Sequence, residues 1–145
     1  MIALIQRVAS AGVSVGGKQV AGIDRGILAL IGIAATDTPE TGRKLLERVL
    51  TYRIFPDDAG RMNLDLRQIG GSLLLVPQFT LVADTHKGTR PGFSTGASPE
   101  AARALFAGLV EAAAAAHPAV ACGEFGADMQ VSLVNDGPVT FWLQA

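Results

Sequence analysis

Apolar and polar side chains alternate from residue 129 to 134 and again from 139 to 143, the period-two pattern of strands with one face on a core. Between the two runs stands Asn135-Asp136-Gly137-Pro138, so the pattern predicts a closing hairpin with Gly-Pro near its tip. Proline fixes its own φ and has no N–H, so such a tip offers rigid backbone with free carbonyls rather than a reactive side chain.

Elsewhere the same reading alternates strands with two helices. Residues 2–9 alternate as a strand with Arg7 as its one charge, and Val13 and Val15 lead into Gly16-Gly17, a hairpin signal with a return over 18–23. The apolar run 26–35 predicts a buried strand. Thr38-Pro39-Glu40 has a capping oxygen, a first-turn proline and an acid, so a helix is expected from there to about Tyr52, with Leu45, Leu46, Val49 and Leu50 inward. A turn at 56–60 and a short strand or extended segment over 61–66 precede the Gly70-Gly71 break. The apolar stretch 70–84 is interrupted at Pro77-Gln78-Phe79-Thr80-Leu81, and a proline there implies an edge, a bulge or a strand end. A loop over 84–96 is long enough to line a site. Ser98-Pro99-Glu100 repeats the helix start, residues 101–116 are helical by propensity, and His117-Pro118 ends them before the chain returns to sheet over 119–125.

With 145 residues and 49% hydrophobic side chains, one domain spanning 1–145 can bury roughly 68–70% of its unfolded surface. Charged residues are only 17%. That leaves apolar surface in need of a partner, and a homodimer is the economical expectation. No apolar run reaches the roughly 18 residues of a membrane span, and no signal-peptide pattern opens the chain, so the reading is cytoplasmic with no membrane partner. The single Cys122 excludes an internal disulfide and reads as a small buried hydrophobe. His86 and His117 have no metal-ligand spacing, so neither metal nor cofactor is expected. A net charge of −1 argues against covering a long nucleic acid or DNA. All twelve Lys and Arg precede residue 104, however, and His86-Lys87-Gly88-Thr89-Arg90 is a short basic loop, either solvated or able to touch a few phosphates of an RNA end.

Pro77-Gln78-Phe79-Thr80-Leu81 and Asn135-Asp136-Gly137-Pro138-Val139-Thr140 together resemble the paired signature motifs of the D-aminoacyl-tRNA deacylases. So do the opening Met-Ile-Ala-Leu-Ile-Gln-Arg-Val, Tyr52-Arg53-Ile54-Phe55, Met62-Asn63-Leu64, Gly92-Phe93-Ser94 and the closing stretch 127–143, from one end of the chain to the other. The resemblance implies an α/β fold with a strand-rich, barrel-like sheet and two packed helices, a homodimer, and hydrolysis of the ester that joins a D-amino acid to tRNA. It further implies that Gly137-Pro138 is cis and enters the partner subunit's site as a wall against L side chains, with Arg7 orienting it. Steric exclusion of this kind would leave glycyl-tRNA a leaky substrate. In one respect the chain departs from the family, which usually has Ser where Pro77 stands, so neither a hydroxyl nor an N–H is available there.

The ester is already activated, so its hydrolysis needs a positioned water and a place for negative charge rather than a strong nucleophile. No Gly-x-Ser-x-Gly elbow is present, and Cys122 has no neighbouring base. Thr80 is the nearest side-chain candidate, but without a base it reads better as a positioning residue. The favoured reading is therefore catalysis by the Phe79 and Thr80 amides, with the terminal ribose 2′-hydroxyl activating water. Phe79, Phe125 and Met129 are candidates for packing the terminal adenine, against the alternative of core filling, and Gln78 for reading base or sugar. Two other functions stay open: editing of small L-aminoacyl or glycyl-tRNA, and RNA-end binding without catalysis.

Overall fold

A computed structural model describes residues 1–145. In chain order the elements are β1 (Ile2–Val15), β2 (Lys18–Ile23), β3 (Gly26–Gly32), α1 (Pro39–Thr51), β4 (Phe55–Pro56), β5 (Met62–Leu64), β6 (Ser72–Pro77), a 3₁₀ turn (Phe79–Val82), α2 (Pro99–Ala116), β7 (Val120–Cys122) and β8 (Met129–Gln144). β1 organises the sheet. Along one edge it pairs antiparallel with β8 from Ile2↔Gln144 to Val15↔Met129. Its other edge takes β3 first and then β2. β3, β6 and β7 continue as parallel neighbours, and β2 curls back toward β6 and β7. The result is a nearly closed, barrel-like sheet with two helices.

Parallel neighbours cannot be joined by a hairpin, so each parallel step carries a crossover. The β3-to-β6 crossover holds α1 and the small β4–β5 pair, and the β6-to-β7 crossover holds α2. In β4–β5 the Asn63 amide and the Arg61 and Ala59 main-chain N–H groups hold the Asp57 carboxyl below the usual carboxylate range. The central strands read as unbroken apolar runs because both of their faces are covered. Ile27, Ala29, Ile31, Leu73 and Leu75 join the larger core with Leu45, Leu50, Phe106 and Leu109 of the helices. Leu28, Leu74 and Val76 point the other way, into a smaller core with Val8, Ala11 and Val13.

Both helix starts form where the capping residues stand. The Thr38 hydroxyl accepts from Thr41 N–H at 3.3 Å, while the Thr41 hydroxyl accepts from Thr38 N–H at 2.8 Å. The Ser98 hydroxyl accepts from Ala101 N–H, and Pro99 opens α2. Leu45, Leu46, Val49 and Leu50 are buried, as their spacing predicts. α2 stops at His117, whose buried ring places Nε2 2.7 Å from the Gly71 carbonyl oxygen. That bond fastens the helix end to the entry of β6.

Several expectations need correction. The strand expected over 26–35 ends at Gly32, after which only Ala34 bridges, to Gly96. The segment 119–125 contributes only β7, and Cys122 is half-buried against the larger core rather than fully enclosed, whereas 61–66 does hold the short strand β5. The largest difference is at the C-terminus. Residues 129–144 form one strand rather than a hairpin, because both halves pair with the same 14-residue β1. Between Asn135, opposite Val8, and Thr140, opposite Gln6, the four residues 136–139 leave the ladder as a bulge facing Arg7.

Candidate functional site

The C-terminal ends of parallel β3 and β6 open onto a cavity of about 570 Å³. Crevices at such strand ends are common ligand sites in α/β sheets, because the strands stop together and leave open space beyond their last residues. Ile31, Val76 and Pro77 line it from the strands, and Pro99 and Ala102 from the start of α2. Phe125, Met129 and Val131 close it from the chain's last third, and Gln78, Phe79, Val82 and Phe93 complete the lining. Five expected site residues, Pro77, Gln78, Phe79, Phe125 and Met129, therefore meet in one place.

Pro77 is the last residue of β6, one of the positions where a missing N–H is tolerated. The next amide resumes the pairing, with Gln78 N–H donating to the Ile31 carbonyl at 2.7 Å. The chain then tightens into the 3₁₀ turn, so of the edge, bulge or strand end expected at Pro77 the structure has the strand end. Leu81 N–H donates to the Gln78 carbonyl at 3.3 Å, and Ala83 N–H to the Thr80 carbonyl at 3.2 Å. Phe79 and Thr80 open this turn, where N–H groups have no carbonyl within the turn to bond. The Gln78 side-chain amide donates to the Thr80 hydroxyl. Thr80 itself is exposed beside the cavity and is not part of its lining.

The rim is aromatic. Phe79 is 65% exposed and Phe93 47%, although their ring centroids lie only 5.2 Å apart. Apolar rings left in water at a cavity mouth are suited to receiving another flat surface. Arg103 of α2 holds its guanidinium carbon 5.0 Å from the centre of the Phe125 ring. Phe93 and Arg103 were not picked out by the sequence. Phe93 sits in the recognisable Gly92-Phe93-Ser94 segment, but only the packing against Phe79 shows where its ring goes.

The β8 bulge is closed by Asn135. Its side-chain carbonyl accepts from Val139 N–H at 2.7 Å, and its side-chain amide donates to the Thr140 hydroxyl at 2.9 Å. Arg7 holds the bulge from outside, with Nε donating to the Asp136 carbonyl at 2.9 Å and Nη1 donating to the Ile54 carbonyl at 2.7 Å. The Gly137-Pro138 bond is cis. Gly137 has φ +143°, and a Cβ there would stand 2.6 Å from Val139 Cγ2, so the position requires glycine. Residues 136–138 are exposed and lie outside the cavity of their own chain, as does Arg7.

A family model described as D-Tyr-tRNA(Tyr) deacylase matches residues 4–144. The chain belongs to this deacylase family. It is 60% identical over 144 residues to a D-aminoacyl-tRNA deacylase of Thioalkalivibrio sulfidiphilus, covering 99% of this chain and 97% of that one. A deacylase of the same name from Alkalilimnicola ehrlichii is 58% identical over 145 residues, covering 100% of this chain and 97% of that one. Among solved structures, one titled c-Myc DNA Unwinding Element Binding Protein superposes with a TM-score of 0.96 at 35% identity, over 100% of this chain and 99% of that one. A probable eukaryotic D-amino acid tRNA deacylase shares the deacylase fold, with a TM-score of 0.88 at 17% identity, covering 99% of this chain and 98% of that one.

Proposed function

We propose that this protein hydrolyses the ester of D-aminoacyl-tRNA, releasing the free D-amino acid and tRNA. The observation that carries the reading is the meeting of Pro77, Gln78, Phe79, Phe125 and Met129 on one cavity, in a chain that matches named D-aminoacyl-tRNA deacylases over nearly its whole length.

Carbonyl attack at this site runs on geometry and dipoles. No histidine lines the cavity, and His117 is occupied with the Gly71 carbonyl, so no general base stands ready to activate a side-chain nucleophile. The Phe79 and Thr80 amides open the turn at the rim and supply the donors that a developing oxyanion needs. The ribose 2′-hydroxyl of the substrate, adjacent to the ester, orients the water. Thr80 acts as a positioning residue. Its hydroxyl accepts from Gln78 and keeps its own proton to donate. Phe79 and Phe125 give the terminal adenine flat apolar surface, with Met129 filling behind it.

Handedness is decided by the Gly137-Pro138 bulge of a second copy of the chain. The bulge is exposed, fixed by Asn135 and Arg7, and made of main chain that a side chain cannot displace. A homodimer is supported by β8. It is an open edge of the sheet, and on it Val134 is 57% and Trp142 52% exposed, a combination that invites pairing. A wall against L side chains does not exclude a hydrogen atom, so glycyl-tRNA is cleaved as well. A cytoplasmic site of action, where tRNA is charged, goes with this reading.

Deacylation of D-Tyr-tRNA and L-Tyr-tRNA by the purified protein tests this. The D ester should disappear on the order of 100-fold faster or more. Equal rates on both would remove the wall, and binding without release of amino acid would leave an RNA-end binder. Thr80→Ala, with folding checked by circular dichroism, should retain activity within roughly tenfold, whereas losing an oxyanion donor costs about 100- to 1,000-fold.

A further inference from the structure

We propose that the loop over 84–92 is a phosphate clamp, in which Lys87 and Arg90 hold the phosphodiester backbone of the RNA strand whose 3′ end enters the cavity. The inference rests on the deacylase reading above and assigns it a backbone-binding surface.

The loop belongs to the mouth of the cavity. It leaves the lining at Val82 and returns to it at Phe93. Its ends are fastened by reciprocal bonds, Asp84 N–H to the Gly92 carbonyl at 2.8 Å and Gly92 N–H to the Asp84 carbonyl at 2.9 Å. Everything between is exposed. Asp84 is the one acid from 84 to 96, and its carboxylate accepts the His86 N–H at 3.0 Å rather than meeting a cation.

Most cations of this chain are already engaged. Arg7, Arg43, Lys44, Arg61 and Arg67 face carboxylates, while Arg48 and Arg53 donate to carbonyl oxygens. Lys87 and Arg90 have neither an ion pair nor a hydrogen bond, and the same is true of Arg103 beside Phe125 at the same cavity. Five cations thus have neither kind of contact, and three of them, Lys87, Arg90 and Arg103, belong to the segments around the opening, the other two being Lys18 and Arg25, although the chain as a whole carries −1. An apolar cavity recognises the terminal nucleoside, and the next phosphates must leave through its mouth. Cations there neutralise phosphates of any sequence, so this surface adds affinity without sequence preference.

The test compares two substrates, D-Tyr-tRNA and 3′-O-(D-tyrosyl)adenosine, which keeps the ester and terminal nucleoside but has no phosphate. Lys87→Gln/Arg90→Gln should lower kcat/KM on D-Tyr-tRNA by about tenfold or more at low salt, and flatten its log–log salt dependence by about 1.4, close to 0.7 for each single-strand phosphate left without its cation. Cleavage of the tyrosyl-adenosine should stay within about twofold, because no phosphate is involved. Lys44→Gln, on a helix that contributes nothing to the cavity, should leave the salt slope unchanged. An unchanged slope in the double variant, or an equal loss on both substrates, overturns the clamp. If the wild-type protein cleaves neither substrate, the deacylase reading fails and the clamp fails with it.

Discussion

Gly26→Ala should cost roughly 3 kcal/mol or more of stability, among the largest effects expected of a single methyl group. Gly26 pairs with Ser72 at the start of the parallel β3–β6 ladder. A Cβ built on it would stand 1.9 Å from the Ser72 carbonyl oxygen and 2.7 Å from both the carbonyl carbon and the nitrogen of Ser72. All three atoms are backbone, so no rotamer change relieves the overlap. The strands would have to part where Ser72 N–H already bonds the Arg25 carbonyl at 3.0 Å. For a domain near 150 residues the melting temperature should fall by about 10 °C, with a lower urea midpoint and an unchanged slope. Gly108→Ala is the contrasting case. Gly108 is exposed in α2 with nothing within 4 Å of its would-be Cβ, so that variant should gain about 0.5–1 kcal/mol. Equal melting of Gly26→Ala and the wild type would show that the two strands are not in this close register. The other ends of β3 and β6 carry Ile31, Val76 and Pro77 into the cavity, so activity should fall with the ladder.

Local chemistry made the helix starts legible. Thr38 and Ser98 each sit three residues before an N–H they can cap, with proline next, and no distant residue alters that arithmetic. The apolar runs of β3 and β6 were legible for a similar reason, since both faces are covered and nothing polar interrupts them. The course of β8 was not legible. Two alternating runs around Asn-Asp-Gly-Pro look the same whether the chain reverses or bulges. What decides between them is β1, a partner more than 100 residues away in sequence, long enough to accept both halves. The Asn135 side chain then takes over the ladder bonds that the bulge interrupts.

The cavity shows the same division. Its motif residues, Pro77 to Phe79, could be picked out because a proline and a glutamine stand oddly in an apolar strand. Phe93, Val131 and Arg103 carry no such mark, and they join the site only through packing between distant segments. Pro77 itself ends a strand without difficulty, and the pairing resumes at Gln78. A serine there would add a hydroxyl at the cavity wall without altering the ladder. Pro77→Ser should therefore fold normally, and its rate relative to wild type measures what the hydroxyl and the restored N–H contribute together.

Arg7→Leu should collapse the discrimination between D- and L-Tyr-tRNA by about 10- to 100-fold while changing the rate on the D ester much less, a difference that competing deacylation assays can read. Val139 anchors one end of the β8 bulge in the core, and the Arg7 guanidinium is the one side chain outside β8 that hydrogen-bonds its exposed part, joining the Asp136 carbonyl to the Ile54 carbonyl across two segments. Its side chain is only 12% exposed, and the Asp136 carboxylate stands 3.5 Å away. Leucine keeps much of the apolar stem but leaves the Ile54 carbonyl of a buried residue without its donor, a cost of about 1–3 kcal/mol. The bulge then keeps its internal Asn135 bonds but loses its fixed position. A barrier that moves no longer separates two side-chain positions differing only in handedness, whereas the Phe79 and Thr80 amides, on another part of the chain, are untouched. Arg7→Lys sharpens the test. A single ammonium restores the charge beside Asp136 but lacks the planar fork that reaches both carbonyls, so charge should return without selectivity. A folded Arg7→Leu protein with the wild-type D-to-L ratio would remove the bulge from the selection of substrate handedness.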